Sequence, residues 1–404
     1  MTRIAICGET YSPNLGDGVI ADSLKWLLKQ VDASIDVSFT DFSCRPGYSL
    51  EDLSALPKAN WIRRIHRSLA RISLYRKGAV PLLWYFSKRK RLSQSSQERI
   101  GDCDLMLIGG GQLLMDNNLY FPLRVRELVR LAKSLNKGVV FYACGVGAKW
   151  SRPGFRLLTG ALLDESVLWV SVRDQESRDT LRALFPGTNL KCRLSEDPAV
   201  CAAEAYGIHA NPKSSTTGLG LSAPNVLSTR FAGSKSAFTV KRVKQFWIDL
   251  AELLESEHRE FVFFTNGQSD DYAFAQSIVA EMSGSKAMRP PVLLERARQP
   301  RALVEQVAQC QAIVAHRLHA NIIAYSLGIP SVGLIWDKKV EEFGKITGRS
   351  RFYFDPFNMD PIVANERLHE AISTGIDGAH LAKLKAFVHG DVKTMLSVCT
   401  MGNR

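Results

Sequence analysis

Short apolar runs alternate with longer amphipathic stretches along almost the whole chain. Residues 3–8 read as a first buried strand, a polar loop follows at 9–16, and a helix runs over 17–28 with an acidic residue in its first turn. Further strands are expected at 34–40, 103–108, 138–142, 167–172 and 192–194, with helices at 122–135 and from 175 to 184. This alternation closes near residue 203, and the polar stretch 209–217 reads as a linker. A second alternation then begins, with strands at 218–222, 261–265, 292–295, 312–315 and 331–336. Helices are expected between them at 241–255, 271–282, 301–308 and from 316 to a stop at Gly328. Two more helical patterns, 362–372 and 379–398, close the chain. Unbroken apolar strands separated by helices imply parallel sheets covered on both faces. The expected fold is therefore α/β: two Rossmann-like, doubly wound domains over 1–205 and 206–350, and a C-terminal helical tail over 351–404.

At 404 residues the chain suits two domains rather than one core, and its 46% hydrophobic content fits a globular protein. No run approaches the roughly 18 to 20 apolar residues of a membrane span, and the N-terminus enters a strand at once, without a secretory signal. The eight cysteines are scattered and form no Cys-x-x-Cys pair, as expected of reduced thiols in a cytoplasmic protein.

Charge changes the picture in one place. The net charge is +12, and 56–95 holds eleven Lys or Arg and no acid, interleaved with Trp61, Tyr75, Trp84, Tyr85 and Phe86. Such an insertion reads as a solvated basic segment, or as one that meets an anionic membrane surface or an acidic, lipid-linked substrate. Nucleic acid is not expected, because no recognised binding module accompanies the patch.

The densest candidate chemistry lies in 310–334, CQAIVAHRLHANIIAYSLGIPSVGL. An apolar strand meets His316-Arg317-Leu318-His319, which opens an apolar helix that ends at Gly328 and turns through Pro330 into another strand. Ligands of open parallel sheets bind at the carboxyl ends of strands, and helix N-termini attract anions, so this tetrad stands where an anionic substrate would sit. The two histidines also fit a metal pair or structural imidazoles bonded to backbone. No acid lies between Glu305 and Asp337, so a bound anion is the expected partner of Arg317. Arg367-Leu368-His369 repeats three of these letters between Glu366 and Glu370, and reads as an exposed helix face with its acids at hand.

Other strand ends carry weaker signals. Asn14-Leu15-Gly16-Asp17-Gly18 is placed like a nucleotide or substrate loop, but equally forms an ordinary strand-to-helix turn. Gly109-Gly110-Gly111 lets backbone approach a ligand or simply permits a sharp turn. Ser171-Val172-Arg173-Asp174 delivers a second cation, which binds substrate or pairs locally with Asp174 or Glu176.

In order, these motifs together with Asp197-Pro198, Gly328-Ile329-Pro330 and Trp336-Asp337-Lys338-Lys339-Val340 resemble the polysaccharide pyruvyltransferase family over about residues 3–345. The resemblance implies a two-Rossmann, GT-B-type enzyme, with no metal and no cofactor beyond phosphoenolpyruvate as donor substrate. It implies transfer to two hydroxyls of a polysaccharide or lipid-linked saccharide, with formation of a cyclic pyruvate ketal and release of phosphate. Arg317 and Arg173 match the family's arginines, and His319 matches its Arg-Leu-His histidine as acid toward carbon or base toward hydroxyl. Lys339 is implied to hold the leaving phosphate, while Asn14, Asp17, Gly110, Gly111 and the secondary His316 line the substrate site. The alternatives are a nucleotide-sugar glycosyltransferase of the same architecture, or a non-enzymatic glycan-assembly partner.

Overall fold

The structure, a computed structural model, describes residues 1–48, 84–116, 118–188, 190–227, 239–284, 290–354 and 360–401. Two compact units emerge: Met1–Ser12, Ile20–Pro198 and Phe387–Arg404 form the first, Pro13–Val19 and Ala199–Ala386 the second. The cut falls at Pro198, a few residues before the expected boundary. Residues 351–404 do not form a unit of their own, since their last helix returns to the first unit from Phe387.

The first unit begins with β1 (Arg3–Gly8), α1 (Leu15–Val31, its first turn counted with the second unit) and β2 (Asp36–Asp41). After a π-helical turn at Trp84–Lys88 come α2 (Arg89–Gly101), β3 (Leu105–Gly109), α3 (Tyr120–Ser134) and β4 (Gly138–Cys144). Then follow α4 (Arg152–Leu162), β5 (Val167–Val172), α5 (Gln175–Leu184) and β6 (Cys192–Leu194). The sheet order is β2-β1-β3-β4-β5-β6, all parallel. The order in which strands are added reverses between β1 and β3, where an open parallel sheet leaves a crevice at the carboxyl edge. The central β3 is buried at every residue, as expected of a strand covered on both faces.

The second unit continues with α6 (Ala202–Tyr206), β7 (Thr217–Gly220), α7 (Pro224–Leu227), α8 (Val240–Ser256), β8 (Phe261–Phe264) and α9 (Ser269–Ser283). Next come β9 (Val292–Leu293), α10 (Pro300–Ala308), β10 (Ala312–Ala315), α11 (Leu318–Ser326) and β11 (Ser331–Leu334). It ends with α12 (Lys338–Ile346), β12 (Tyr353–Phe354), α13 (Pro361–Thr374) and the start of α14 (Gly378–Met401). The order is β12-β11-β10-β7-β8-β9, again parallel, with its reversal between β7 and β10.

Several motif letters hold these elements together. Asp174 caps α5 by accepting from Ser177 N at 2.7 Å, and Asp337 caps α12 by accepting from Lys339 N at 3.2 Å. Gly328, at φ +74°, ends α11 in a Schellman turn: its N–H donates to Tyr325 O at 3.0 Å, and Ile329 N donates to Ala324 O at 2.8 Å. Pro330 then cannot continue the helix, and the chain enters β11. Every residue of α11 is buried, so it is a core helix rather than an amphipathic surface one. No described helix is long and apolar enough to cross a membrane.

Candidate functional site

In the second unit, Arg317 leaves the carboxyl end of β10 and stands as the N-cap residue of α11. Asn321 fixes this turn: its buried Nδ2 donates to Ala315 O at 3.3 Å and to Arg317 O at 3.0 Å. Because β10 borders the reversal of strand order, Arg317 occupies the crevice position of its sheet.

The expected absence of a partner for Arg317 is corrected by the structure. Asp271, fully buried in the first turn of α9, accepts from Arg317 Nη2 at 2.6 Å and from Nε at 3.1 Å. Gln268 Oε1 accepts from the same Nη2 at 2.9 Å. Asp271 is anchored in turn by Ala223 N, just beyond β7, which donates to its Oδ1 at 2.8 Å. An acid-free stretch of sequence cannot report a contact formed 46 positions away. Nη1 makes no hydrogen bond among the described residues.

His319, one position into α11, is 7% exposed. Gly16 lies against it so closely that a Cβ there would stand 2.4 Å from His319 Cβ and 2.6 Å from Nδ1. This brings the turn of Asn14, Gly16 and Asp17 onto the histidine. Asn14 Nδ2 donates to Asp17 Oδ2 at 3.2 Å, Asp17 N donates to Asn14 O at 3.0 Å, and Leu15 N donates to Asn266 O at 2.9 Å, tying the turn to the end of β8.

His316 points elsewhere. It is wholly buried with its ring edge-on to Trp247 on α8, centroids 5.4 Å apart, and neither ring nitrogen has a partner among the described residues. Burial, then the Arg317 charge, pushes its pKa down to about 3, so this imidazole stays neutral at physiological pH. Its carbonyl accepts from Trp336 Nε1 at 2.6 Å, and Lys339 Nζ lies 5.0 Å from the centre of the Trp336 ring. Lys339 is thereby linked to the tetrad through one indole.

In the first unit, Gly110 and Gly111 follow β3 at the strand-order reversal with φ of +70° and +78°, where a side chain is disfavoured. At Gly110 a Cβ would stand 1.9 Å from Ile20 Cγ2, so close packing alone accounts for that glycine. Arg173 is buried at the end of β5, its Nη1 donating to Asp197 Oδ2 at 3.2 Å and its Nε lying 3.6 Å from Asp174 Oδ2. The expected local pair thus exists, with Asp197 as a second and nearer partner.

Sequence reasoning singled out neither Asp271 and Gln268 nor Glu196. Burial, then Asp197, Asp174 and Asp391, pushes the half-buried Glu196 carboxyl up to about 8. Asp391 itself accepts from Ser195 Oγ. A carboxylate opening a helix after an apolar strand was the available signal for Asp271, but acids are common there for dipole reasons alone.

Of the basic insertion only 84–95 falls among the described residues. There Arg89 pairs with Glu127 at 2.8 Å and Trp84 is buried under the Arg124 guanidinium, 4.7 Å from its ring centre. The basic residues of 56–83 lie outside the described residues. The repeated Arg-Leu-His letters behave as expected: Arg367 pairs with Glu370 at 2.8 Å and His369 Nε2 lies 2.7 Å from Glu257. A cavity of 640 Å³, lined among others by Thr216, Phe261, Pro291 and Val292, lies at the amino ends of β7–β9, the opposite edge from Arg317.

The polysaccharide pyruvyl transferase family model matches residues 14–338. The chain belongs to that family. It is accordingly a transferase with a saccharide polymer as acceptor class, and every candidate residue named above lies inside the match except Lys339, which is one position beyond it. No curated protein sequence matches the chain. Among solved structures it is similar to the UDP-GlcNAc 2-epimerase of Methanocaldococcus jannaschii, at 11% identity and TM-score 0.55, covering 92% of this chain and 93% of that one. It is also similar to MnaA of S. aureus solved with UDP (12%, TM-score 0.55, 98% of each chain). The trehalose-6-phosphate synthase OtsA is a third (11%, TM-score 0.54, 100% of this chain and 98% of that). At these identities the likeness establishes the fold, two parallel six-stranded sheets of GT-B type.

Proposed function

We propose that the pyruvyltransferase takes its pyruvyl group from phosphoenolpyruvate and forms a ketal with two hydroxyls of a polysaccharide or lipid-linked oligosaccharide, releasing phosphate. The observation that carries this reading is Arg317 at the strand-order reversal, fixed along one edge and without a hydrogen bond at Nη1, two residues from His319. Phosphoenolpyruvate offers a phosphate and a carboxylate, and a guanidinium matches the planar geometry of either.

In this reaction the donor's methylene carbon gains a proton and becomes methyl, one hydroxyl oxygen bonds to the adjacent carbon, and the C–O bond to phosphate breaks. The second hydroxyl then closes the ketal, and both hydroxyl protons leave. His319 moves a proton on or off these atoms. As a base toward hydroxyl it must carry the neutral imidazole, and as an acid toward carbon the protonated one. In the second unit Lys339 holds the leaving phosphate, Asn14 and Asp17 shape the surroundings of His319, and His316 supports the turn from the core; in the first unit Arg173, with Gly110 and Gly111, contacts an anionic substrate group. The acceptor is met at the cytoplasmic face of a membrane, on the strength of the basic, aromatic composition of 56–95. A flotation assay without binding to anionic liposomes would remove that last clause.

The deciding test is a thermal-shift comparison of phosphoenolpyruvate, phosphate, pyruvate and nucleotide sugars on wild type and Arg317→Ala. A ligand at a hundred times its dissociation constant stabilises the folded state by about 2.7 kcal/mol. Selective stabilisation by phosphoenolpyruvate, lost in the variant, supports the donor. Stabilisation by a nucleotide sugar instead overturns it.

A further inference from the structure

Three of the five N–H groups of Arg317 are taken: one on Nε and one on Nη2 by Asp271, the other on Nη2 by Gln268. The two on Nη1 have no partner among the described residues. Asp271 is itself fixed from two sides, by its place in α9 and by the Ala223 N–H beyond β7, the strand that adjoins β10 at the reversal. The guanidinium is therefore aimed by two side chains at the start of α9, one of them anchored to the segment after β7, and its positive charge is matched by a buried carboxylate.

We infer that Asp271 and Gln268 are positioning residues that present the Nη1 edge of Arg317 to the donor while keeping the pair electrically neutral. The site then recognises phosphoenolpyruvate by direction and does not trap free phosphate by charge. This rests on the donor reading given above. A reaction that releases phosphate gains from that arrangement, because an uncompensated buried guanidinium would hold the product as firmly as the substrate.

Calorimetric titration with inorganic phosphate and with phosphoenolpyruvate separates the two jobs. Asp271→Asn removes the carboxylate charge, and its phosphate affinity should rise roughly tenfold over wild type. Gln268→Leu leaves the charges alone and loosens the aim. Its phosphoenolpyruvate affinity should fall roughly tenfold while phosphate stays within about twofold, since a near-spherical anion tolerates a swinging guanidinium. A purely structural role would weaken both ligands together, in step with the folded fraction followed by circular dichroism.

Folded Asp271→Asn with unchanged or weaker phosphate binding overturns the neutral-pair inference. Gln268→Leu with wild-type discrimination between the two anions overturns the aiming role. Should Asp271→Asn fail to fold, the Gln268→Leu arm decides. Should wild type bind phosphate but not phosphoenolpyruvate, the donor reading falls, and the inferred discrimination falls with it. The Asp271→Asn phosphate arm would then still decide the charge pairing on its own.

Discussion

Gly16→Ala is the most exposed prediction of the site geometry. In an open helical position the change to alanine stabilises by about 0.4–1 kcal/mol, through lower unfolded-state entropy and better helix propensity. At Gly16 the added methyl would stand 2.4, 2.5 and 2.6 Å from His319 Cβ, Cγ and Nδ1, where ordinary contact begins at 3.4 Å. Something must move by about 1 Å, and neither neighbour is the far end of a flexible chain: one is a helix turn bonded to Asn266, the other the root of a buried imidazole. Overpacking of this kind costs about 1–3 kcal/mol, so the sign of the effect reverses. A displacement of about 1 Å at a reacting group also costs roughly a hundredfold in rate. Scanning calorimetry should show a melting temperature lower by several degrees, given about 2–4 °C per kcal/mol for a unit of this size. Phosphate release from phosphoenolpyruvate in the presence of a saccharide panel should fall with it. Gly390→Ala is the control, because its Cβ would meet nothing within 4 Å in the interior of α14, and it should stabilise slightly. Gly16→Ala with wild-type stability and turnover would refute the packing of the Asn-Leu-Gly-Asp turn on His319.

His319→Ala should lose most turnover while retaining the calorimetric affinity for phosphoenolpyruvate; near-normal turnover would defeat its assignment. His316→Phe should keep the contact with Trp247, hold or raise stability because it removes two unpartnered buried nitrogens, and leave the pH profile between 5 and 9 unchanged. Glu196 binds its proton more tightly folded than unfolded, so it drains stability as pH rises from the ordinary glutamate value through about 8. Glu196→Gln should therefore melt higher than wild type at pH 8.5 and converge with it near pH 4, as read by thermal melts across pH. Asp174→Ala should lose about 1 kcal/mol of cap energy, measured by urea denaturation, whereas Asp174→Asn keeps the cap and loses only the charge beside Arg173.

Much of the fold was legible because both sheets are parallel and buried on both faces, which prints strands as unbroken apolar runs between helices. The strands at Arg3–Gly8, Val167–Val172, Cys192–Leu194 and Ala312–Ala315 coincide with their expected limits. Helix α4 was not anticipated although it carries a Ser151 cap, accepting from Gly154 N at 3.2 Å, and a proline in its first turn. Its amphipathic pattern, with Leu158, Ala161 and Leu162 on the buried face, was present in the sequence as well. The positions of Arg317 and Arg173 at strand ends were readable from order alone. The local pairing of Arg173 with Asp174 was readable too, but Asp271 and Asp197 were not, because they reach the arginines across the sheet edge rather than along the chain. Charge compensation in a parallel sheet is a non-local property, and local windows of sequence mislead about it.

The contact between Trp336 and its neighbours makes that indole an optical reporter. Its ring is buried, its N–H is held by the carbonyl of His316, and the ammonium of Lys339 sits 5.0 Å from its centre. Emission from an indole responds to a nearby charge, so an anion that draws Lys339 away would shift the fluorescence of this one tryptophan. His316 stays neutral well below physiological pH and adds no titrating quencher to the signal. Occupancy near Lys339 can therefore be followed in real time without a label, and the difference spectrum between wild type and Trp336→Phe isolates it from the other indoles.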